Sequence, residues 1–387
     1  MISRRTMMGS AMATMLLAQG RAGAEQAQRV GGARIVVLDN RVWMQVRFGN
    51  RGPYAFIIDS GVFTNLIRSD LVRELNLRQL GDQTMRGVGG RHQMGIYEGR
   101  DVTLGTINIG NADFAAYEHS DLPIHAEAMG ALSTSILTVA DSELDFTLNE
   151  WRVYPDGRGE RAGYERLPSE IGRSATSIGA APIHVEAVIG GESYRLQVDT
   201  GAPGEILLFP RGTRRSGLWN ERVPYAPGFR RGIGGIGAAT RLVRGPMARL
   251  GSTTFERPLI SLTDPETSDS PSGDGLLGIG IIERLNWSTD VRAGKVWAKP
   301  SGVAARPERY GLTGMWLGEE RGRLVVVALS PGSPAAAAGL ALGDEILGVT
   351  LPQWIARVSG RPGTSVPYRA RRGGEERSGT LVLRDFL

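Results

Sequence analysis

Two short stretches of the 387-residue chain carry the residues that could do chemistry: FIIDSGVFTNLI (56–67) and LQVDTGAPGEILL (196–208). Each leads an apolar, β-prone run into an aspartate, then a hydroxyl residue, a glycine and a second apolar run. A carboxylate at the end of a strand suited to burial is costly unless it is paired, hydrogen-bonded or neutralised. Taken singly, Asp59 or Asp199 reads as a residue that organises a turn. Taken together they allow something else. Two carboxylates held on the order of 3 Å apart cannot both ionise, so they share one proton. The ionised member can draw a proton from a water lying between them while the protonated member polarises a carbonyl. Gly61 and Gly201 would let the two loops turn tightly enough to meet. The hydroxyls of Ser60 and Thr200 can each hydrogen-bond the opposite loop and fix the geometry. Such a pair calls for no covalent intermediate, metal or organic cofactor.

The elements that must position these loops are legible as a repeat. Gly89-Gly90 follows Asp59 at an offset of 30, and Gly234-Gly235 follows Asp199 at 35. Gly130-Ala131-Leu132-Ser133 and Gly275-Leu276-Leu277-Gly278 then start at offsets of 71 and 76. Each half closes on a similar strand pair, LDFTLNEWRVYP (144–155) and LNWSTDVRAGKVWAKP (285–300). Four landmarks in one order at nearly equal spacing imply an internal duplication. The expected units are residues 32–155 and 174–300, joined by a polar linker over 156–173 and preceded by a short one over 25–31. Within each unit, apolar runs broken by Gly, Asn or Asp roughly every ten residues predict antiparallel strands and hairpins. One helix is expected over 69–77, with Ser69 as N-cap. Gly232 to Gly237 satisfies G-x-G-x-x-G, but no helix can follow past Gly245-Pro246, so it reads as a glycine hairpin rather than a dinucleotide loop.

These motifs resemble the bilobal aspartic proteases, and the retropepsin-like branch most closely. The resemblance covers about 270 residues. It implies a mainly β fold of two pseudo-twofold-related barrel lobes, with Asp59 and Asp199 as catalytic residues and Ser60, Gly61, Thr200 and Gly201 supporting the dyad. Gly89-Gly90 and Gly234-Gly235 would be the tips of two flaps over a polypeptide substrate, and Leu276-Leu277-Gly278 a buttress under the second loop. Both motifs lie in one chain, so a monomer would suffice. The chain departs from the family pattern at Ser133, where a buttress glycine is expected, and at Val62 and Ala202-Pro203-Gly204. These departures leave a second reading open, a peptide-binding protein that keeps the bilobal cleft without catalysis.

After the linker SGVAARPER (301–309), the run LVVVALSPGSPAAAAGLALGDEILGV (324–349) resembles the PDZ domains of exported bacterial proteases. Ser333-Pro334 fits the start of a short alanine helix, Gly339 its end, and Gly343-Asp344 a turn into a strand over 345–349. The resemblance implies a small α+β domain over 310–387. Its loop Leu312-Thr313-Gly314-Met315 would hold C-terminal or extended peptides beside a strand edge, with Met315 and Leu317 lining a side-chain pocket. The bland alternatives are a rigid cap without ligand, or an adaptor whose barrel lobes are structural. The tail RARRGGEER reads as a solvated hairpin.

Composition bounds the rest. Net charge is +5, and of the 45 basic residues all but Lys295 and Lys299 are arginines scattered along the chain. Nucleic-acid recognition needs such charge clustered on one element, so it is set aside. There are no cysteines, and the four histidines show no metal-ligand spacing. At the amino terminus, Arg4-Arg5, an apolar run from Ala11 to Leu17 and Ala22-Gly23-Ala24 form an export signal over 1–24, of twin-arginine or general secretory type. The expected location is periplasmic or secreted, and no segment is long and apolar enough to span a membrane as a helix.

Overall fold

The structure, a computed structural model, describes residues 30–87, 90–119, 125–173, 180–232, 235–268, 273–307 and 310–387. The export signal, Gly89 and Gly234 lie outside the described residues. The first unit runs through β1 (Gly31–Leu38), β2 (Arg41–Phe48), β3 (Arg51–Ile58), β4 (Asn65–Arg68), α1 (Ser69–Leu75), β5 (Arg78–Gly87), β6 (Gly90–Leu104), β7 (Ile107–Tyr117), β8 (Gly130–Leu132), α2 (Ser135–Thr138), β9 (Asp141–Asp145) and β10 (Glu150–Tyr154). The mainly β character follows from period-2 patterning. In β2, Val42, Met44, Val46 and Phe48 are buried and alternate with more exposed residues, as one inward face requires. Ser69 is the first helical residue of α1 rather than its cap. Its hydroxyl donates to the Tyr117 carbonyl instead, and Asn76 ends the helix at φ 50°.

The connecting segment holds β11 (Glu165–Arg166) and β12 (Ser169–Ile171). The second unit continues with β13 (Ile183–Ile189), β14 (Glu192–Val198), β15 (Ile206–Leu208), α3 (Pro210–Ser216), β16 (Tyr225–Gly232), β17 (Gly235–Arg244), β18 (Ala248–Leu250), β19 (Thr253–Phe255), β20 (Leu259–Thr263), β21 (Gly275–Leu277), α4 (Ile279–Ile282), β22 (Leu285–Asp290) and β23 (Lys295–Pro300). Strand partners repeat between the units. β3 runs parallel to β8 as β14 does to β21, and β4 runs parallel to β7 as β15 does to β20. Helix α3, for which no expectation was made, occupies the place of α1, with Pro210 in its first turn.

The units are joined through one sheet, in which β9 of the first pairs with β22 of the second, Trp287 opposite Leu144 and Ser288 opposite Glu143. A single apolar core spans both, from Ile35 to Ala298. Strand β9 reads DSELD and is buried throughout, an unfavourable place for three carboxylates. The segment expected to be a polar linker explains how they are tolerated. Arg161 reaches Asp141 at 2.8 Å and Arg158 reaches Glu143 at 3.2 Å. Tyr164 donates to Glu143, as does Tyr154 at 2.9 Å, and Arg152 closes the set at 2.8 Å. Tyr164 and Leu167 are themselves buried. The linker is therefore packed structure, held because buried carboxylates require fixed donors.

The third unit comprises β24 (Met315–Glu320), β25 (Arg323–Leu329), α5 (Pro334–Ala337), β26 (Glu345–Ile346), α6 (Leu351–Val358), β27 (Ser365–Arg372) and β28 (Glu375–Val382), in one five-stranded sheet with β24 at its edge. It has its own core around Trp354, Leu324 and Leu381. Ser333 caps α5, accepting from the Ala336 N–H. The strand expected over 345–349 is only two residues long, and β27–β28 form the expected hairpin at Gly373-Gly374. Among the described residues, no helix is long and apolar enough to cross a membrane.

Burial pushes the Glu143 carboxyl up, but the hydroxyls of Tyr164 and Tyr154 and the charges of Arg158 and Arg152 outweigh it and hold it below the usual range. A depressed carboxyl stabilises the fold above its unfolded value and loses that contribution as pH falls through the folded one. Glu143→Ala should therefore cost about 1–3 kcal/mol at pH 7, because the buried hydroxyls of Tyr154 and Tyr164 lose their acceptor. In thermal melts the gap from wild type should narrow as pH is lowered through the carboxylate range.

Candidate active site

Asp59 and Asp199 each follow the last residue of a strand, β3 and β14, whose parallel neighbour supplies the next hydrogen bond. The Asp59 N–H donates to Leu132 O at 2.8 Å and the Asp199 N–H to Leu277 O at 2.9 Å. Both loops are thus hung from equivalent points. The two aspartate side chains lie close enough for the charge of Asp59 to act on Asp199. Each carboxyl lies over the glycine of the opposite loop: a Cβ on Gly61 would sit 2.5 Å from Asp199 Cγ, and one on Gly201 would collide with the Asp59 carboxyl. No other residue leaves room for this approach.

Ser60 and Thr200 lock the arrangement reciprocally. The Ser60 N–H donates to Thr200 Oγ1 at 3.0 Å, and the Thr200 N–H donates to Ser60 Oγ at 3.0 Å. Ser60 Oγ then donates to Val198 O at 2.9 Å and Thr200 Oγ1 to Ile58 O at 2.7 Å. Both side chains are fully buried. The remaining loop donors turn inward: the Gly61 N–H bonds Asp59 Oδ1 at 3.0 Å, while those of Gly201 and Ala202 bond Asp199 Oδ1 at 2.9 and 3.0 Å.

Both aspartates are partly buried and keep some access to solvent. Burial raises the proton affinity of both, and at Asp199 the negative charge of Asp59 raises it further. Loop N–H groups and the charge of Arg41 act in the opposite direction on each. A pair held this way retains one proton well above the usual carboxylate range. That state combines a base and an acid within reach of one water.

Arg41 is a residue that the sequence reading missed. It precedes Val42, which lies opposite Ile58 across the β2–β3 ladder, so in register it stands beside Asp59. Its Nη1 donates to Asn40 O at 3.1 Å. The departure at Ser133 also finds its reason here. Ser133 donates through both N–H and hydroxyl to Asn65 Oδ1, at 2.9 and 3.0 Å. In the second unit, a side chain at Gly278 would strike the carbonyls of Gly204 and Ala202. Asn65 therefore does with a side chain what close backbone contact does around Gly278.

The other expected site residues lie apart from the dyad loops. Gly90 pairs with Gly87 and Gly235 with Gly232, placing each at the end of a hairpin, β5–β6 and β16–β17. In the third unit, Gly314 adopts φ 65° and its N–H donates to Gly311 O at 3.2 Å, while the Met315 N–H donates to Thr313 Oγ1 at 3.3 Å. Two N–H groups expected to hold a peptide carboxylate are thus already engaged. Thr313 is buried, Leu312 packs at the edge of the unit's core, and Met315 and Leu317 belong to that core. Among the described residues, no group of three or more His, Cys, Asp or Glu side chains is placed to hold a metal ion.

A family model described as aspartyl protease matches residues 44–139, from β2 through Asp59 and the first hairpin to the turn after α2. This supports an aspartic protease family for the chain. No curated protein matches it.

Thr200→Val keeps the side-chain shape but leaves the Ser60 N–H and the Ile58 carbonyl unpaired in the interior. It should cost about 1–3 kcal/mol in denaturant unfolding. Arg41→Gln should move the titration of both aspartates upward, because a charge opposing their protonation is gone. Carbon-13 carboxyl shifts followed against pH would show this, and unchanged shifts would assign Arg41 no role at the pair.

Proposed function

We propose that the protein is an aspartic endopeptidase, Asp59 and Asp199 being its catalytic dyad and an extended polypeptide its substrate. The observation that carries this reading is the close aspartate pair, each carboxyl set against the glycine of the opposite loop, clamped by Ser60 and Thr200 and only partly buried. In this mechanism a water bound between the carboxyls gives a proton to the ionised member as its oxygen attacks the scissile carbonyl. The protonated member gives its proton to the carbonyl oxygen, forming a tetrahedral diol. Collapse of the diol breaks the C–N bond as a proton passes to the leaving amine, and the pair returns to its one-proton state. The carboxyl pair performs every step without a metal or cofactor.

Hairpins β5–β6 and β16–β17, with Gly90 and Gly235 at their described ends, are proposed as flaps that close over the substrate. Their equivalent places in the two units support this reading. One chain supplies both aspartates, so the site forms in a monomer. The third unit is proposed as a PDZ domain. Its edge strand β24 offers a free ladder to an extended peptide, a role better supported than carboxylate capture by Gly314 and Met315. The segment 1–24 is proposed to direct export to the periplasm or beyond.

The test is the mature chain incubated with unfolded protein across pH 3 to 8, with fragments mapped. Cleavage should be greatest where the pair holds one proton and decline as pH rises and that proton is lost. Either Asp59→Asn or Asp199→Asn should nearly abolish it, with the double variant hardly worse, because the residues act as a unit. Full activity in either single variant would refute the mechanism, and no cleavage by wild type would favour a peptide-binding role.

A further inference from the structure

The two hairpins proposed as flaps both lie at the ends of their sheets. In the first unit, β5 is the terminal strand of its sheet, held by β6 alone, and β6 pairs with β7 only from Ile96 onward. In the second, β17 pairs with β20 only over Thr240–Arg244, and β16 is the terminal strand of its sheet, held on one side by β17 alone. An edge strand with one partner is free to move unless something covers it. The third unit packs against it. The Tyr225 hydroxyl donates to Leu329 O at 3.2 Å, and the Tyr225 N–H donates to Ser330 Oγ at 3.4 Å. Four residues further along, the Phe229 ring meets the Trp316 indole edge-on, with centroids 5.6 Å apart.

The pattern along β16 is consistent with a built contact. Tyr225 and Phe229 lie on the same face of the strand, as alternation requires. Arg230, on the other face, lies over the Phe209 ring of its own unit at 5.1 Å. The Tyr225 ring is further held by Arg241, whose guanidinium lies 4.1 Å from it and 4.4 Å from Trp219. On the opposing side, Met315 and Leu317 turn into the core of the third unit, so Trp316 between them faces outward. Fully buried Ser330 is fixed by its own N–H, which donates to Gly314 O at 2.8 Å.

We propose that Trp316 and Ser330 of the third unit are positioning residues for the β16–β17 hairpin, so that one flap of the dyad is set by a different unit from the one that bears it. The inference rests on the reading of that hairpin as a flap. The Phe229–Trp316 contact lies three residues before Gly232, roughly 10 Å from the turn at the usual rise of a strand, and so governs its outer half. Neither residue touches the aspartates. Their effect falls on how the hairpin meets a substrate, where a displacement of about 1 Å is enough to lose on the order of 100-fold in rate.

The full chain is compared with Trp316→Ala and Trp316→Phe by amide hydrogen exchange and by steady-state cleavage of a short peptide found with wild type. Trp316→Ala should speed exchange across 225–232 and 235–244 several-fold and leave 90–104 unchanged. It should lower kcat/KM about tenfold, mostly through KM, with the pH profile unmoved, and Trp316→Phe should restore both. Phe229→Ala removes the same ring contact from the hairpin side and should reproduce the effect with the third unit intact. Unchanged exchange in both alanine variants would overturn the inference. So would a shifted pH profile, because it would place the effect at the dyad. Faster exchange in a chain with no wild-type cleavage would uphold the positioning and refute the protease reading.

Discussion

Two carboxyls that share a proton repel each other as soon as both ionise, and the molecule is arranged to hold them together regardless. The holding interaction is the four-membered exchange between Ser60 and Thr200. Each hydroxyl accepts from the opposite residue's N–H and donates to the carbonyl preceding the opposite aspartate. In a fully buried setting such bonds cannot be traded for water, so separation of the loops would strand four polar groups at once. The two glycines permit the approach, but the hydroxyls make it the lowest-energy arrangement.

That clamp has meaning only if the two units are docked, and docking leads back to the shared sheet. β9 pairs with β22 while carrying three buried carboxylates, which are neutralised by arginines and tyrosines from β10 and from the connecting segment. A buried ion network is seldom a source of net stability compared with apolar packing. Its geometry is specific, however, and a carboxylate displaced from its donors would be left uncompensated. Register between the units is thereby fixed at β9 and β22. The chain from Asp141 to Arg161 and the chain from Asp59 to Thr200 are two parts of one constraint.

The copies are alike in topology and unlike in environment. Asn65 replaces a backbone contact in the first unit, and Gly278 preserves it in the second. Both hairpins end their sheets, and the second leans on the third unit. The repeated topology thus places different surroundings on the two sides of the aspartate pair.

The meeting of the two aspartate loops and the hydroxyls that fasten them were legible in the sequence. The D-[ST]-G triplets, the hydroxyl at the second position and the repeated glycine landmarks are local signals, and each states its physics within a few residues. The mainly β character was equally plain, because alternation such as Val42, Met44, Val46 and Phe48 has one structural meaning. Arg41, the pairing of Asn65 with Ser133, the packed linker and the grip of Trp316 on Phe229 were not legible. Each joins residues from separate parts of the chain, and nothing near either partner announces the other. An arginine before a strand or a tryptophan on an edge looks the same in one dimension whether it meets solvent or a partner. Only tertiary packing decides, because the energy of such contacts depends on which distant surface is brought within a few ångströms.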